Sequence, residues 1–456
     1  MAGIGFELRK LLNRKGYLGL FQGYLYAGLI SSGPWILSIL GVLLIGFFSL
    51  AVVVPHYLII QFQVSVTYLM ALSLILTGFL QLAFTRFIAD RLFEHKDYLV
   101  LANFHGAILI TTCASGLLGG LAALLLFQGE SVIYRLLLTG TFVVMSDIWI
   151  AAIFLSGMKR YKAILAMFLL GYGITVLAAL ALRPWGLEGL LGGFFLGQGI
   201  LLYGMMVLVL RDFPGADFVR FDFLQARKQY PSLIWIGFLY NLGIWSDKLI
   251  FWYYPHTSTA VIGPLRASEI YDFPIFLAYL SIIPGMAVFL VRMETDFVEY
   301  YEKFYNAVRE GETLRYIEET RNQMVATIRQ GVAEIVKIQG IAILLVFALG
   351  PALLDSLGIS QLHLPLLYVD VVSAGLQVVF LGLLNVFFYL DRRRIVLGLT
   401  LLFLVANISL TALSLRLGAP FFGYGFALAM LLTVTVAMLV LDRKIDSLEY
   451  ETFMLQ

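Results

Sequence analysis

About twelve apolar stretches run through the 456 residues, and the basic residues fall mostly in every second gap between them. A run of about 20 apolar residues is long enough to cross a bilayer as a helix. The stretches are continuously apolar and do not alternate with period two, so helices fit them and barrel strands do not. The first six predicted spans are 24–50, 62–84, 101–127, 134–157, 163–182 and 189–210. The second six are 232–253, 273–291, 338–358, 365–389, 395–415 and 421–441. Cytoplasmic loops retain Lys and Arg, so the alternation also gives an orientation. Of the 31 basic residues, 26 lie in the N-terminal segment, the even-numbered gaps and the tail. Arg135, Arg183, Arg266 and Arg416 lie on the other side, and Lys248 lies within a span. The pattern predicts a multi-pass, all-α membrane protein with both termini in the cytoplasm.

Composition agrees. Hydrophobic residues make up 61% of the chain and charged residues 13%, against roughly 25% charged in an ordinary soluble domain. The single cysteine, Cys113, allows no intrachain disulfide, and the five histidines are scattered, so no Cys/His metal cluster is expected. No phosphate-binding P-loop occurs, and no cofactor motif is legible. The gaps on the outer side are short, the longest being 254–272. They leave no room for an outer catalytic domain, so the chain does not read as an enzyme.

Six segments follow from these patterns. Residues 1–21 mix apolar and basic side chains, which suits an amphipathic helix on the anionic cytoplasmic leaflet. Residues 22–210 form an N-terminal six-helix lobe, 211–231 a cytoplasmic linker, and 232–441 a C-terminal six-helix lobe. Residues 442–456 form a cytoplasmic tail. The second lobe carries a charged insert, 292–337, with seven basic and nine acidic residues and a helical pattern broken near Gly311. A solvated hairpin and a docking surface both fit that insert.

An ionisable residue at membrane depth costs about 2.5–3.5 kcal/mol on insertion scales, so it needs a reason. Asp147, Asp247, Lys248 and Asp370 are such residues. Asp247 and Lys248 are sequence neighbours and point about 100° apart on a helix, so each is expected to look elsewhere for a partner. Asn241, Trp245 and Lys248 share a face of helix seven, and Asp370, Ser373 and Gln377 share one of helix ten. Ser73, Thr77, Gln81 and Thr85 form a polar stripe in helix two. These faces read either as the lining of a hydrated substrate pathway or as interhelical bonding that holds the bundle. In helix one, Gly33-Pro34 predicts a kink, because proline removes a backbone hydrogen bond. Interrupted helices at equivalent places in two halves point to a transporter portal.

The opening MAGIGFELRKLL and the following YLYAGLISSGPWILSILGVLLIG resemble the PelG family, the inner-membrane components of the Pel exopolysaccharide system. That family is similar in turn to the polysaccharide-transporter branch of the multidrug/oligosaccharidyl-lipid/polysaccharide flippase superfamily. The resemblance covers the whole chain. It implies two six-helix bundles forming a V around a cavity, with kinked helices one and seven at the portal. It also implies a bacterial inner-membrane location and translocation of an N-acetylgalactosamine-rich polymer. The implied partners are a cytosolic glycosyltransferase (PelF-like), a cyclic-di-GMP receptor (PelD-like) and a membrane tetratricopeptide protein (PelE-like). The family transfers no catalytic motif. Three deep Asp and one Lys suit a neutral or weakly cationic sugar chain better than a pyrophosphate-linked one. An ion-coupled lipid-linked oligosaccharide flippase, a multidrug antiporter and a non-transporting scaffold for the synthase are the competing readings.

Overall fold

The computed structural model describes residues 17–158, 160–213, 217–225, 230–448 and 450. Of the predicted amphipathic segment, residues 1–16 lie outside the described residues and 17–21 begin the first helix. In the linker, 214–216 and 226–229 lie outside, as do 449 and 451–456 of the tail.

Helices dominate, as the apolar runs require. Seven come first: α1 (Tyr17–Ser49), α2 (Tyr57–Phe93), α3 (Val100–Leu126), α4 (Val132–Gly157), α5 (Tyr161–Leu182), α6 (Gly186–Asp212) and α7 (Pro231–Tyr253). Seven more follow: α8 (Glu269–Leu280), α9 (Ile283–Val291), α10 (Val298–Glu310), α11 (Leu314–Ser356), α12 (Leu364–Tyr389), α13 (Arg393–Leu417) and α14 (Tyr424–Asp446). Nine helical stretches among the described residues are long and apolar enough to span a membrane, and α1, bent by 65° around Pro34, makes ten. One of the nine, Lys162–Asp212, contains both α5 and α6, which meet at Arg183–Trp185. Helix α7 is apolar enough except where Asn241, Ser246, Asp247 and Lys248 interrupt it. With α5 and α6 separated and the less apolar α7 included, the described residues fit about twelve spans.

The chain forms two compact units. The N-terminal unit holds Gly33–Trp245 and Phe251–Ser268. Within it α2 packs on α4, α3 on α4, and α6 on both α4 and α5. Phe84, Phe104 and Phe154 are buried in the core, and the linker inserts Phe223 against Phe84 (5.5 Å between ring centres). The linker is pinned there. Asp222 N donates to Asn103 Oδ1 (2.8 Å), Asn103 Nδ2 donates back to Asp222 Oδ2 (3.2 Å), and Arg220 N donates to the Ala102 carbonyl (2.9 Å). At the start of α4, the Ser131 hydroxyl accepts the Tyr134 amide and caps one of the free N–H groups there. The gap 254–272, expected to be a short loop on the outer side, contains an antiparallel hairpin of β1 (Thr259–Ile262) and β2 (Leu265–Ala267). Gln61 donates to the Val261 carbonyl (3.0 Å) and Tyr68 to that of Arg266 (2.9 Å), which ties the hairpin to α2.

The C-terminal unit takes the described part of Met1–Ser32, Ser246–Ile250 and the described part of Glu269–Gln456. Helix α12 is its centre, packing on α8, α11 and α14. The expected span 273–291 lies in one apolar helical stretch, Glu269–Glu310, with a two-residue turn at 281–282 between α8 and α9. Breaking a helix inside a membrane leaves carbonyls that need donors. Gln339 of α11 supplies one, donating to the Ser281 carbonyl (3.1 Å). The span then continues past its expected end through a π-helical turn, Arg292–Phe297, into α10. A left-handed Gly311 ends α10, and α11 returns, so the charged insert is a hairpin of helices. The predicted span 338–358 is therefore only the end of α11. That helix has 43 residues and is about 65 Å long, roughly twice the hydrocarbon thickness. Its charged first half continues the same helix outside the apolar part. Arg292 straps the π turn to α11 through a two-pronged bond to Glu334 (2.5 and 2.9 Å).

Candidate functional site

The deepest polar cluster lies in the C-terminal unit, where α7, α8, α12, α13 and α14 bring side chains together. Asp247 is its centre and is fully buried. Its carboxylate accepts the Tyr271 hydroxyl (2.5 Å), Asn407 Nδ2 (3.2 Å) and Lys248 Nζ (3.0 and 3.3 Å). The expectation that Asp247 and Lys248 do not meet is corrected here. Their Cα–Cβ bonds do diverge, but the four-carbon lysine stem folds back to its neighbour. In a low-dielectric interior, closing the ion pair outweighs the lost rotamer freedom.

Lys248 has further partners. Its ammonium donates to the Tyr279 hydroxyl (3.2 Å) and lies 5.1 Å from the Tyr279 ring centre and 4.9 Å from that of Phe426. Two aromatic faces and a hydroxyl thus replace much of its hydration. Asn407 also donates to Ser246 Oγ (3.0 Å), and Thr411 donates to Asn407 Oδ1 (3.0 Å), which fixes the amide. Tyr271, Tyr279, Asn407 and Thr411 are absent from the sequence-derived site. A signal existed: Thr400, Asn407, Thr411 and Ser414 recur on one face of α13 in steps of three, four and seven.

Asp370 completes the cluster differently. It is fully buried, and neither carboxylate oxygen has a hydrogen-bond partner among the described residues. The charges of Lys248 and Asp247 reach it electrostatically. Gly423, at φ +84°, lies beside it, and a Cβ there would come within 3.1 Å of Asp370 Oδ1. On the same helix Ser373 Oγ donates to its own helix at the Val369 carbonyl (2.8 Å), while Gln377 Oε1 is buried without a partner among the described residues. Asp247, Lys248, Asp370, Ser373 and Gln377 therefore all belong to one compact unit.

Asn241, Trp245 and Asp147 belong to the N-terminal unit. Asn241 Nδ2 donates to the Leu74 carbonyl of α2 (3.1 Å), where Gly78 and Gly237 let the two backbones approach closely. Trp245 lies near Trp252 (6.2 Å), which stacks on Tyr68 (4.4 Å). Asp147 Oδ2 accepts Thr112 Oγ1 (2.7 Å), and its Oδ1 is buried without a partner among the described residues. The helix-two stripe bonds largely to its own turns, Thr77 to the Ser73 carbonyl and Thr85 to that of Gln81. Gly33 and Pro34 sit at the bend of α1, at the boundary between the residues of the two units. A cavity of about 230 Å³ in the N-terminal unit, between Phe79, Phe84, Ile110 and Phe223, is lined mostly by apolar groups; Thr77 of the helix-two stripe lines it, but Asn241, Trp245 and Asp147 do not.

The cluster can hold a proton or a small cation: it joins a paired carboxylate and ammonium to a carboxylate without a hydrogen-bond partner among the described residues, in a buried, aromatic-lined setting. Known proteins narrow the choice. A MOP superfamily transporter from Pyrococcus furiosus is similar in fold, with a TM-score of 0.66 at 13% identity, covering 94% of this chain and 96% of that one. A MATE in the bent conformation gives 0.64 at 14% identity over 94% and 96%. An outward-facing multidrug resistance MATE family transporter gives 0.62 at 12% over 93% and 96%. The fold is thus that of the MOP and MATE transporters. No curated protein is detectably similar. The family model described as "Putative exopolysaccharide Exporter (EPS-E)", PelG, matches residues 1–453. A match of that extent carries its family with it: the chain belongs to the PelG family.

Proposed function

We propose that this protein carries a growing Pel-type, N-acetylgalactosamine-rich polysaccharide across the bacterial inner membrane as part of a synthase–transport complex. The observation that carries the reading is the whole-chain match to an exopolysaccharide exporter family on a transporter fold. Both termini lie in the cytoplasm, as the placement of 26 basic residues implies. A PelF-like glycosyltransferase, a PelD-like cyclic-di-GMP receptor and a PelE-like tetratricopeptide protein are the partners. The α10–α11 hairpin is the surface that meets them. The candidate pathway residues are Asp247, Lys248, Asp370, Ser373 and Gln377 of the C-terminal unit and, separately, Asn241, Trp245 and Asp147 of the N-terminal unit, with Gly33-Pro34 as the portal kink. The test is export in cells carrying Asp247→Asn with Asp370→Asn. Loss of exported polymer with synthesis intact supports transport, whereas normal export makes the protein a scaffold. Purification from native membranes checks the complex, and absence of both the glycosyltransferase and the cyclic-di-GMP receptor overturns the Pel assignment.

One observation favours an ion-coupled variant of this reading. Asp370 is buried with no hydrogen-bond partner among the described residues, and such a carboxyl is stable there only with a proton or cation. Transport that stops when the proton gradient is dissipated, while synthesis continues, supports this variant. Export indifferent to the gradient removes it.

A further inference from the structure

A second polar group, away from Asp247, stands where the π-helical turn Arg292–Phe297 meets the end of α12. Single π turns cost helix regularity and occur often at functional sites. The charges around this one are unevenly shared. Arg292 is taken by Glu334 and by Asp296, to which Nη1 donates at 2.6 Å. Glu294, on the same turn, has only neutral partners: Asn385 Nδ2 donates to Oε1 (2.7 Å) and the Tyr389 hydroxyl to Oε2 (3.2 Å). A glutamine would tie the turn to α12 as well, without a half-buried charge that lacks a cation.

The group has acceptor capacity to spare. A carboxylate offers about four acceptor sites, and Glu294 uses two of them. Asn385 Oδ1 is buried with no partner among the described residues. Aromatic rings stand beside these acceptors: Tyr389 meets Phe297 and Tyr301, each at 5.4 Å between ring centres, and Tyr301 meets Tyr305 at 4.6 Å. Glu294, Asn385, Tyr389 and Tyr301 are all half-buried, within reach of solvent. Spare carboxylate and amide acceptors next to ring faces are what a pyranose needs, since it donates through its hydroxyls and packs through its C–H face.

We propose that Glu294 and Asn385, walled by Tyr389 and Tyr301, bind one uncharged pyranose unit of the exported chain at the cytoplasmic end of the C-terminal unit. The proposal rests on the polysaccharide-transport reading and adds where a sugar is gripped. The side follows from the sequence: Glu294 comes just after the apolar run 273–291, and Asn385 and Tyr389 come just before Arg392, Arg393 and Arg394.

The test uses the full-length protein in lipid nanodiscs, titrated with a tetrasaccharide of N-acetylgalactosamine and with a tetragalacturonate of the same length. The native protein binds the neutral chain and disfavours the acidic one, because Glu294 repels carboxylates. Glu294→Gln weakens neutral binding roughly tenfold, the scale of one charge-assisted hydrogen bond, and narrows the difference between the two ligands. Tyr301→Ala weakens binding and Tyr301→Phe keeps it. A purely structural role for Glu294 lowers the unfolding temperature without changing ligand discrimination. If Glu294→Gln does not fold, the Tyr301 pair decides the matter. Native-like affinity and discrimination in both Glu294→Gln and Tyr301→Ala overturn the subsite, as does absence of neutral binding by the native protein. Either result leaves the transport reading to its own test, polymer export in cells lacking the gene. Continued export there ends that reading whatever the titration shows.

Discussion

The two buried aspartates of the C-terminal unit differ in what their neighbours supply. Asp247 has an ammonium, a phenol and an amide, whereas Asp370 has no hydrogen-bond donor. Removing one partner of a buried ion pair strands the other, at a cost of about 3–5 kcal/mol. Lys248→Met is therefore expected to lower the unfolding temperature of the purified protein sharply, and adding Asp247→Asn to restore much of the loss. Asp370→Asn has the opposite signature. It replaces a carboxyl that accepts no hydrogen bond among the described residues with a neutral group of the same shape, so stability should change by no more than about 1 kcal/mol, or improve. A transport defect in that variant, beside an unchanged melting curve, marks Asp370 as functional. The ionisable residues of this network were legible as outliers in apolar runs, but their partners were not. Tyr271 and Tyr279 are ordinary residues of an apolar helix by sequence, and only packing turns their hydroxyls inward. The Asp247–Lys248 pair was misread because a helical wheel gives the direction of Cβ and ignores the reach of a long side chain.

At the scale of elements, the helices were the legible part. Nearly every apolar run became a helix, because a buried or lipid-facing backbone has few other ways to satisfy its hydrogen bonds. The breaks within helices were less legible. The turn at Ser281–Ile282 does have a signal, Pro284 at the start of α9, which cannot donate to the Leu280 carbonyl; its support, Gln339, 58 residues away, was not legible. The outer hairpin escaped notice because its seven strand residues are too few to show a period. The α2–α7 contact depends on small residues. A Cβ on Gly78 would come within 2.8 Å of the Gly237 carbonyl oxygen, and one on Gly237 would collide with that of Gly78. Neither obstacle is a side chain that can swing aside. Gly237→Ala should therefore cost about 1–3 kcal/mol, read as a lower unfolding temperature, while Gly398→Ala, with open space around it, should cost little.

At the scale of the molecule, the charge alternation makes a direct prediction about sidedness. With Cys113 replaced by Ala, a cysteine introduced at Glu312, in the turn of the charged hairpin, should resist a membrane-impermeant maleimide in intact spheroplasts. One at Gly263, in the outer hairpin, should react. The reverse pattern would invert the topology. The compact units hold a further consequence, for how the chain can be cut. The unit of Gly33–Trp245 takes α2 from the first half of the sequence and most of α7 from the second, joined by Asn241 to Leu74 and by Tyr230 to Asp90 (2.9 Å). The unit that holds Asp247 takes its share of α1 from the first half, with Gly28 against Ile283 and Ala287. The two halves are thus interlocked like clasped fingers. Fragments 1–225 and 226–456, made in the same cell, should assemble and co-purify without a covalent link. Made apart, each should be cleared by proteolysis, because neither fragment contains a complete unit.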